Sequence, residues 1–383
     1  MLAYCLHWRR RLTQQQTLRK SKEAPLAETN ESKFKQIAQL SKKLDKAHTI
    51  EKDGRIVTNS LVRLGDRPIL RVPCISTGLP TLDFEVLQYG GIPRGRMLEV
   101  FGPESAGKTT LALHIAAQEQ KLGGIVHFED VEHKLEPLWA KKLGVNIDDL
   151  LFNQPNSGEE ALDTIDKIVE SGCVSLIIVD SAASLVPEAE LAGEIGDQHM
   201  GLQSRMLSQA MRILTGKCSR SQTTIIWINQ IRTNIGQTWG NPETTPGGRA
   251  LKFYSSVRLS VTRPQSEAIW EGTKDNIIGH SVDLRCVKNG GGIPFRRTQV
   301  DLIYPGDGRQ TGFDKVSDLI TFANERNLFE KSGTHFLIKG DKVANGLEAM
   351  KRYLKNNEGA FQTVSKAVEL LIKKEQEAPA ASV

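Results

Sequence analysis

No run of about 18 apolar residues occurs anywhere in the 383-residue chain, so no segment reads as a membrane-spanning helix. Cysteine is scarce. Cys5, Cys74, Cys173, Cys218 and Cys286 form an odd, scattered set without a C-x-x-C pair, which argues against a disulfide framework and a zinc site and points to a reducing compartment. Charge of one sign is lacking as well, except at the start. Residues 1–53 hold twelve Lys/Arg against six Asp/Glu, so the formal +5 of the whole leaves 38 basic and 39 acidic residues for the rest. Any nucleic-acid contact must then come from local patches rather than a global field.

The length supports one large core with smaller appendages, and 39% apolar with 25% charged residues is a globular balance. Residues 1–31 read as a disordered basic leader. Arg9, Arg10, Arg11, Arg19, Lys20 and Lys22 without an acid also suit an organellar transit peptide, although Ser is not enriched. From Ser32 to about His48, Phe34, Ile37, Leu40, Leu44 and Ala47 recur at helical spacing, which predicts an amphipathic helix in need of a partner surface, within a segment over 32–68.

Over 69–305 the apolar runs Met97–Phe101, Ile125–Phe128, Leu176–Val179 and Thr224–Ile228 alternate with helical patterns at Gly158–Ser171 and Leu202–Leu214. This predicts an α/β core with a mainly parallel twisted sheet flanked by helices. Period-two segments at Val257–Thr262, Ser281–Val287 and Thr298–Tyr304 predict antiparallel strands extending that sheet. Residues 306–377 read as a small α+β domain ending in a helix over Gly359–Lys374, and 378–383 as a flexible tail.

Gly102-Pro103-Glu104-Ser105-Ala106-Gly107-Lys108-Thr109, followed by Thr110, satisfies G-x-x-x-x-G-K-[ST] between a predicted strand and a predicted helix. In that setting the glycines let backbone N–H groups close on phosphate oxygens, Lys108 reaches the β- and γ-phosphates of ATP, and Thr109 offers a hydroxyl to Mg²⁺. A second carboxylate must emerge beside the phosphates from an apolar strand. Leu176-Ile-Ile-Val-Asp180 supplies it. The strand ending Phe128-Glu129-Asp130-Val131-Glu132-His133 brings candidate bases for the attacking water to the same edge; Glu132 is the first choice, with Glu129 and Asp130 as alternatives.

Beyond the phosphate loop the residues resemble the bacterial-type RecA recombinase family. The likeness rests on Gly102–Thr110, Ala161-Leu162, Gly193–Asp197, His199–Gly201, Met206–Met211, Asn229–Arg232, Gly240–Thr245 and Ala250–Tyr254, in that order, between about residues 60 and 350. It implies an ATP-dependent recombinase that forms a helical filament on single-stranded DNA and pairs it with a duplex. It also implies a filament-docking role for the N-terminal helix, Trp139 as the plate under adenine, Gln230 as γ-phosphate sensor, and Lys288 reaching ATP on the neighbouring protomer. Two loops would line the DNA, about 190–201 with Met200 and, just beyond, Arg205, and about 231–248 with Arg232, Trp239, Gly247 and Gly248, followed by Arg249. Gly-rich backbone, arginines and one aromatic suit phosphate neutralisation and base stacking.

Three departures stand against the family pattern. Gly290 replaces the second lysine of Lys-Asn-Lys, Pro246 and Arg249 replace a Thr and an Asn, and the acidic tail is missing. Gly290 keeps open a weakly hydrolysing paralog or mediator, and the shared fold keeps open a hexameric DNA motor. A bacterial or phage-infected cytoplasm is the expected location, with mitochondrion or chloroplast as the alternative.

Overall fold

The computed structural model describes residues 33–44, 50–52, 55–57, 72–194, 201–233, 243–264, 268–270, 276–306, 311–338 and 340–377. The chain divides into two compact units, 1–70 with 379–383, and 71–378. In the first, helix α1 covers 33–44, within the expected amphipathic stretch, and exposes Phe34, Ile37 and Leu40. Strands β1 (Ile50–Lys52) and β2 (Arg55–Val57) follow as an antiparallel pair. The leader over 1–31 and the tail over 378–383 lie outside the described residues.

The second unit opens with β3 (Cys74–Ile75) paired to β4 (Ile92–Pro93) across a short π-helical turn, Thr81–Val86. The strands that follow are β5 (Met97–Gly102), β6 (Val126–Asp130), β7 (Leu150–Asn153), β8 (Leu176–Asp180) and β9 (Thr224–Gln230). A small pair, β10 (Arg232–Thr233) and β11 (Glu243–Thr244), precedes β12 (Val257–Thr262), β13 (Ala268–Trp270), β14 (Ile277–Asn289), β15 (Arg297–Ile303) and β16 (Gly312–Phe313). One ten-stranded sheet runs β16-β15-β14-β12-β5-β9-β8-β6-β7, with β13 on β14. From β12 to β7 every pairing is parallel; β14, β15 and β16 add antiparallel strands at the β12 side.

The unbroken apolar run of β8 follows from burial on both faces. Leu176 and Ile178 join a core cluster with helix α2 (Lys108–Lys121), while Ile177 and Val179 join a second with helices α4 (Gly158–Ser171) and α6 (Leu202–Ser221). Every residue of α2 from Thr110 to Ala117 is buried, which an all-round apolar helix requires. Between these elements lie α3 (Pro137–Lys142) and α5 (Glu188–Leu191).

Helix α4 keeps the bounds its pattern predicts, since Ser157 Oγ caps the Glu160 N–H at 3.1 Å and Gly172 turns left-handed at φ 67°. Helix α6 runs past the expected Leu214 because Cys218 continues the buried stripe of Leu207, Met211 and Leu214. After α7 (Ala250–Tyr254) and the strands comes α8 (Lys315–Glu325). The antiparallel β17 (Glu330–Ser332), β18 (His335–Ile338) and β19 (Asp341–Asn345) then precede α9 (Leu347–Asn356) and α10 (Glu358–Glu377). This lobe meets the 77–86 segment directly. The Phe84 and Phe322 rings lie 5.6 Å apart, and Thr81 donates its N–H, at 3.1 Å, and its hydroxyl to Asp318.

Candidate functional site

Parallel strands deliver their carboxyl ends to one edge of a sheet, and the loops beyond that edge carry the chemistry. Here β5 ends at Gly102, β6 at Asp130, β8 at Asp180 and β9 at Gln230. The phosphate loop leaves β5 under tight constraint: a Cβ on Gly102 would lie 1.9 Å from the Val261 carbonyl oxygen. Gly107, at φ 97°, caps α2, whose first residue is Lys108. Pro103, Glu104, Ser105 and Ala106 form the turn between, and the Lys108 ammonium donates to the carbonyls of Gly102 at 3.1 Å and Pro103 at 2.6 Å.

Thr109 Oγ1 donates to Asp180 Oδ2 at 2.6 Å. A hydroxyl and a carboxylate held together at the start of a helix are oxygen donors that fit a hard divalent cation such as Mg²⁺. Burial pushes the Asp180 carboxyl up to about 6 against the opposing pull of the Thr109 hydrogen bond. Burial likewise lowers the Lys108 ammonium, partly offset by Asp180, Glu132 and Glu104.

The three acids at the end of β6 separate by their partners. Glu129 is fully buried and saturated, with His127 Nε2 at 2.6 Å and Asn153 Nδ2 at 2.8 Å. Asp130 accepts from the N–H groups of Lys134 and Leu135 and from Gln154 Nε2, and so holds the turn. Glu132 alone of the three reaches across to the ends of β8 and β9. Its Oε1 accepts from Ser181 Oγ at 2.5 Å, Gln230 Nε2 at 3.1 Å and Ser184 Oγ at 3.3 Å, while Oε2 faces the exposed Lys134 ammonium at 2.9 Å. Burial would raise its pKa, but the hydrogen bonds from Ser181, Lys134 and Ser184 outweigh it and hold the carboxyl below its ordinary value. His133 adopts a left-handed φ of 55° in the turn. Ser181, Ser184 and Lys134 carry no motif in the sequence; a search of the residues flanking each strand-end acid is the signal that finds them.

Trp139, on α3, is half-buried against the core cluster that includes α2. One candidate lies away from this edge. Lys288 lies toward the amino ends of the parallel strands, next to Arg258, with its ammonium on the carbonyls of Lys252 at 2.9 Å and Phe253 at 2.8 Å. A Cβ on Gly290 would sit 3.1 Å from the Ser256 carbonyl oxygen.

The second loop is anchored to the same edge. Asn229 Nδ2 donates to Pro246 O at 3.2 Å and to the buried Glu99 at 3.1 Å, and Glu99 pairs with Arg258 Nε at 2.5 Å. Gly247 (φ 82°) and Gly248 (φ 75°) turn left-handed, and Cβ atoms there would strike Leu207 at 2.6 Å and Ser204 at 2.8 Å. That packing sets Gly247, Gly248 and the exposed Arg249 against the first turns of α6, which carry the exposed Arg205. Arg232 is exposed on β10. Met200 and Trp239 lie outside the described residues.

A phosphate loop between strand and buried helix, with a carboxylate at its threonine and an acid presented three strands away, defines a P-loop nucleotide-binding core. A model of the RecA N-terminal domain matches residues 42–309, and one of the RecA C-terminal domain matches 317–373. The chain is 48% identical over 298 residues to Protein RecA of Gluconobacter oxydans, covering 78% of this chain and 84% of that protein. It is 49% identical over 300 residues to Protein RecA 2 of Myxococcus xanthus, covering 78% and 81%, and 45% identical over 325 residues to Protein RecA of Streptococcus pyogenes, covering 85% and 84%. The chain belongs to the RecA family.

Proposed function

We infer that the chain is an ATP-dependent recombinase of DNA repair and recombination, a DNA-stimulated ATPase that assembles head to tail on single-stranded DNA and exchanges strands with a duplex. One observation carries the link between the two ligands. Gln230 bonds the carboxylate best placed to orient water, and its neighbour Asn229 bonds the second loop. In this reading Gly102–Thr110 cradle the phosphates, Lys108 neutralises them, Thr109 and Asp180 hold Mg²⁺, which screens phosphate charge when bound, and Trp139 borders the base. Glu132 orients the attacking water and takes its proton.

Arg205, Arg232, Gly247, Gly248 and Arg249 form the DNA side, with Met200 and Trp239 assigned by family resemblance. Lys288 acts across the filament on the neighbour's nucleotide. Exchange of one duplex for an equivalent one is nearly balanced in free energy, so ATP serves assembly and release rather than pairing. The bacterial relatives favour a bacterial cytoplasm.

Gln230→Ala tests the link. The variant is expected to bind ATP and single strands separately while losing stimulation of turnover by DNA; stimulation equal to the parent's would overturn the assignment. Gly290 favours one second reading, a mediator with weak hydrolysis, for which strand exchange would be absent in the parent itself.

A further inference from the structure

The acid best placed to face the attacking water carries a cation that no motif contains. Lys134 stands two residues after Glu132, and its ammonium lies 2.9 Å from Glu132 Oε2. The backbone under it is fixed. Val131 and Glu132 donate their N–H groups to the Asp180 carbonyl at 2.9 and 3.2 Å, His133 turns left-handed, and the buried Asp130 accepts the Lys134 and Leu135 N–H groups, each at 3.1 Å. The head is not. The Lys134 side chain is 75% exposed against 15% for Glu132, and a lysine ends in a compact charge on a flexible stem.

Stability does not account for this pair, since an ion pair open to solvent contributes little to a fold. The acids around it point to the nucleotide cleft instead. The bond from Glu132 first, then the charges of Glu104 and Asp180, raise the Lys134 ammonium, and the same three acids oppose the burial that lowers Lys108. Two cations thus answer to one set of carboxylates, one held at the phosphate loop and one in solvent. Water oriented by Glu132 lies within hydrogen-bond reach of the carboxylate, about 2.6–3.2 Å, and about 3–3.5 Å from the phosphorus it attacks. An ammonium on that carboxylate is therefore one side-chain swing from the γ-phosphate. A terminal phosphate carries roughly 1.5 to 2 negative charges against the single charge of Glu132, so it competes for the ammonium. ADP ends one phosphate short of that contest.

We propose that Lys134 is a second γ-phosphate cation, supplied by the same chain. It rests on Glu132 in the nucleotide-free protein and passes to the γ-phosphate when ATP binds, which leaves Glu132 Oε2 open to the attacking water. The assignment rests on the function proposed for the cleft. It also accounts for Gly290, which brings no side chain toward a neighbour's nucleotide: the charge comes from within the chain.

The test is equilibrium titration of the full-length, DNA-free chain with ADP and with a non-hydrolysable ATP analogue, each with Mg²⁺. Lys134→Ala is expected to weaken the analogue about tenfold, the share of one hydrogen bond to a charged group, and to leave ADP within about twofold of the parent. Lys134→Arg is expected to keep the preference for the analogue, and neither variant is expected to shift the unfolding midpoint. The same loss is expected when Lys134→Ala is made beside Glu132→Gln, where no carboxylate charge is left to mask. A loss confined to the parent background means that Lys134 only screens Glu132, and overturns the proposal. A loss that appears only at protein concentrations high enough for filaments places the lysine on a neighbour's nucleotide and overturns it too. Lys108→Ala is the control on the cleft. If it loses both nucleotides while Lys134→Ala treats ADP and the analogue alike, the proposal fails and the cleft assignment stands; if it binds both as the parent does, both fall.

Discussion

Two lysines make the same kind of hydrogen bonds at opposite ends of the central sheet. Lys108 donates to two consecutive carbonyls at the carboxyl edge of β5, and Lys288 to two consecutive carbonyls at the end of α7, near the amino edge of β12. Burial lowers both ammonium groups. Their neighbours differ. Lys108 stands among Asp180, Glu132 and Glu104, whereas Lys288 is pressed further down by Arg258 and sustained only by Glu99, which already has Arg258 and Asn229 as partners. The pair teaches that residue type and hydrogen-bond count do not separate a cation set among acids from one set beside another cation; the charge around it does.

The sharpest way to break that contrast is to truncate both lysines. Lys108→Ala is expected to weaken ATP binding about 1,000-fold, since a buried cation facing phosphate oxygens contributes several kcal/mol. Lys288→Ala should leave ATP affinity of the DNA-free chain within about twofold. Equal losses by equilibrium nucleotide titration would erase the distinction.

The acids give the next largest effect. Glu132→Gln is expected to lower turnover roughly 100-fold or more while ATP and DNA binding persist. Glu99→Gln strips Arg258 of its buried counter-charge and is expected to cost about 3 kcal/mol of stability, read from denaturant midpoints. Should Glu99→Gln impair turnover at full stability, the contrast between the two ends of the sheet fails.

A third prediction sets the carboxyls of the lobe joint beside the low-lying Glu132. Burial, against the hydrogen bonds they accept, pushes Asp83 to about 6 and Asp318 to about 7 from ordinary values of 3.8. An acid whose folded pKa is raised keeps its proton longer in the fold than in the unfolded chain. These two groups therefore remove stability as pH rises from about 4 to about 7, and restore it on acidification through the same window. Asp318→Asn should flatten that slope in unfolding free energy measured across the window.

The smallest effect belongs to the DNA side. Arg249→Ala should flatten the slope of log affinity against log salt on single strands by about 0.7, the counterion share of one phosphate contact. An unchanged slope in the folded variant would remove Arg249 from the DNA contacts.

Much of this architecture was legible because burial on both faces writes long apolar runs, as in Leu176–Val179, and because caps punctuate helices, as Ser157 and Gly172 do for α4. The choice among Glu129, Asp130 and Glu132 was not. Glu129 and Asp130 lie within the strand and bond locally, whereas Glu132 lies just past it, where the Val131 and Glu132 N–H groups on the Asp180 carbonyl hold it beside β8. The roles of Ser181 and Ser184 were not legible for a related reason: a hydroxyl has no periodicity, and its meaning comes from a partner about fifty residues away in sequence. The small β10–β11 pair was hidden too, since strands of two residues carry no repeat.

Asn229 and Gln230 are adjacent on β9, and adjacent strand residues face opposite sides of a sheet. One amide touches the carboxylate over the phosphate loop, and the other holds the carbonyl of Pro246. In the proposed reading, a message between the two ligands then has a single peptide unit to cross. No domain need swing and no helix need slide, so its speed is set by side-chain and loop rearrangement rather than by rigid-body motion. Overall melting temperature becomes a poor gauge of whether the message still passes.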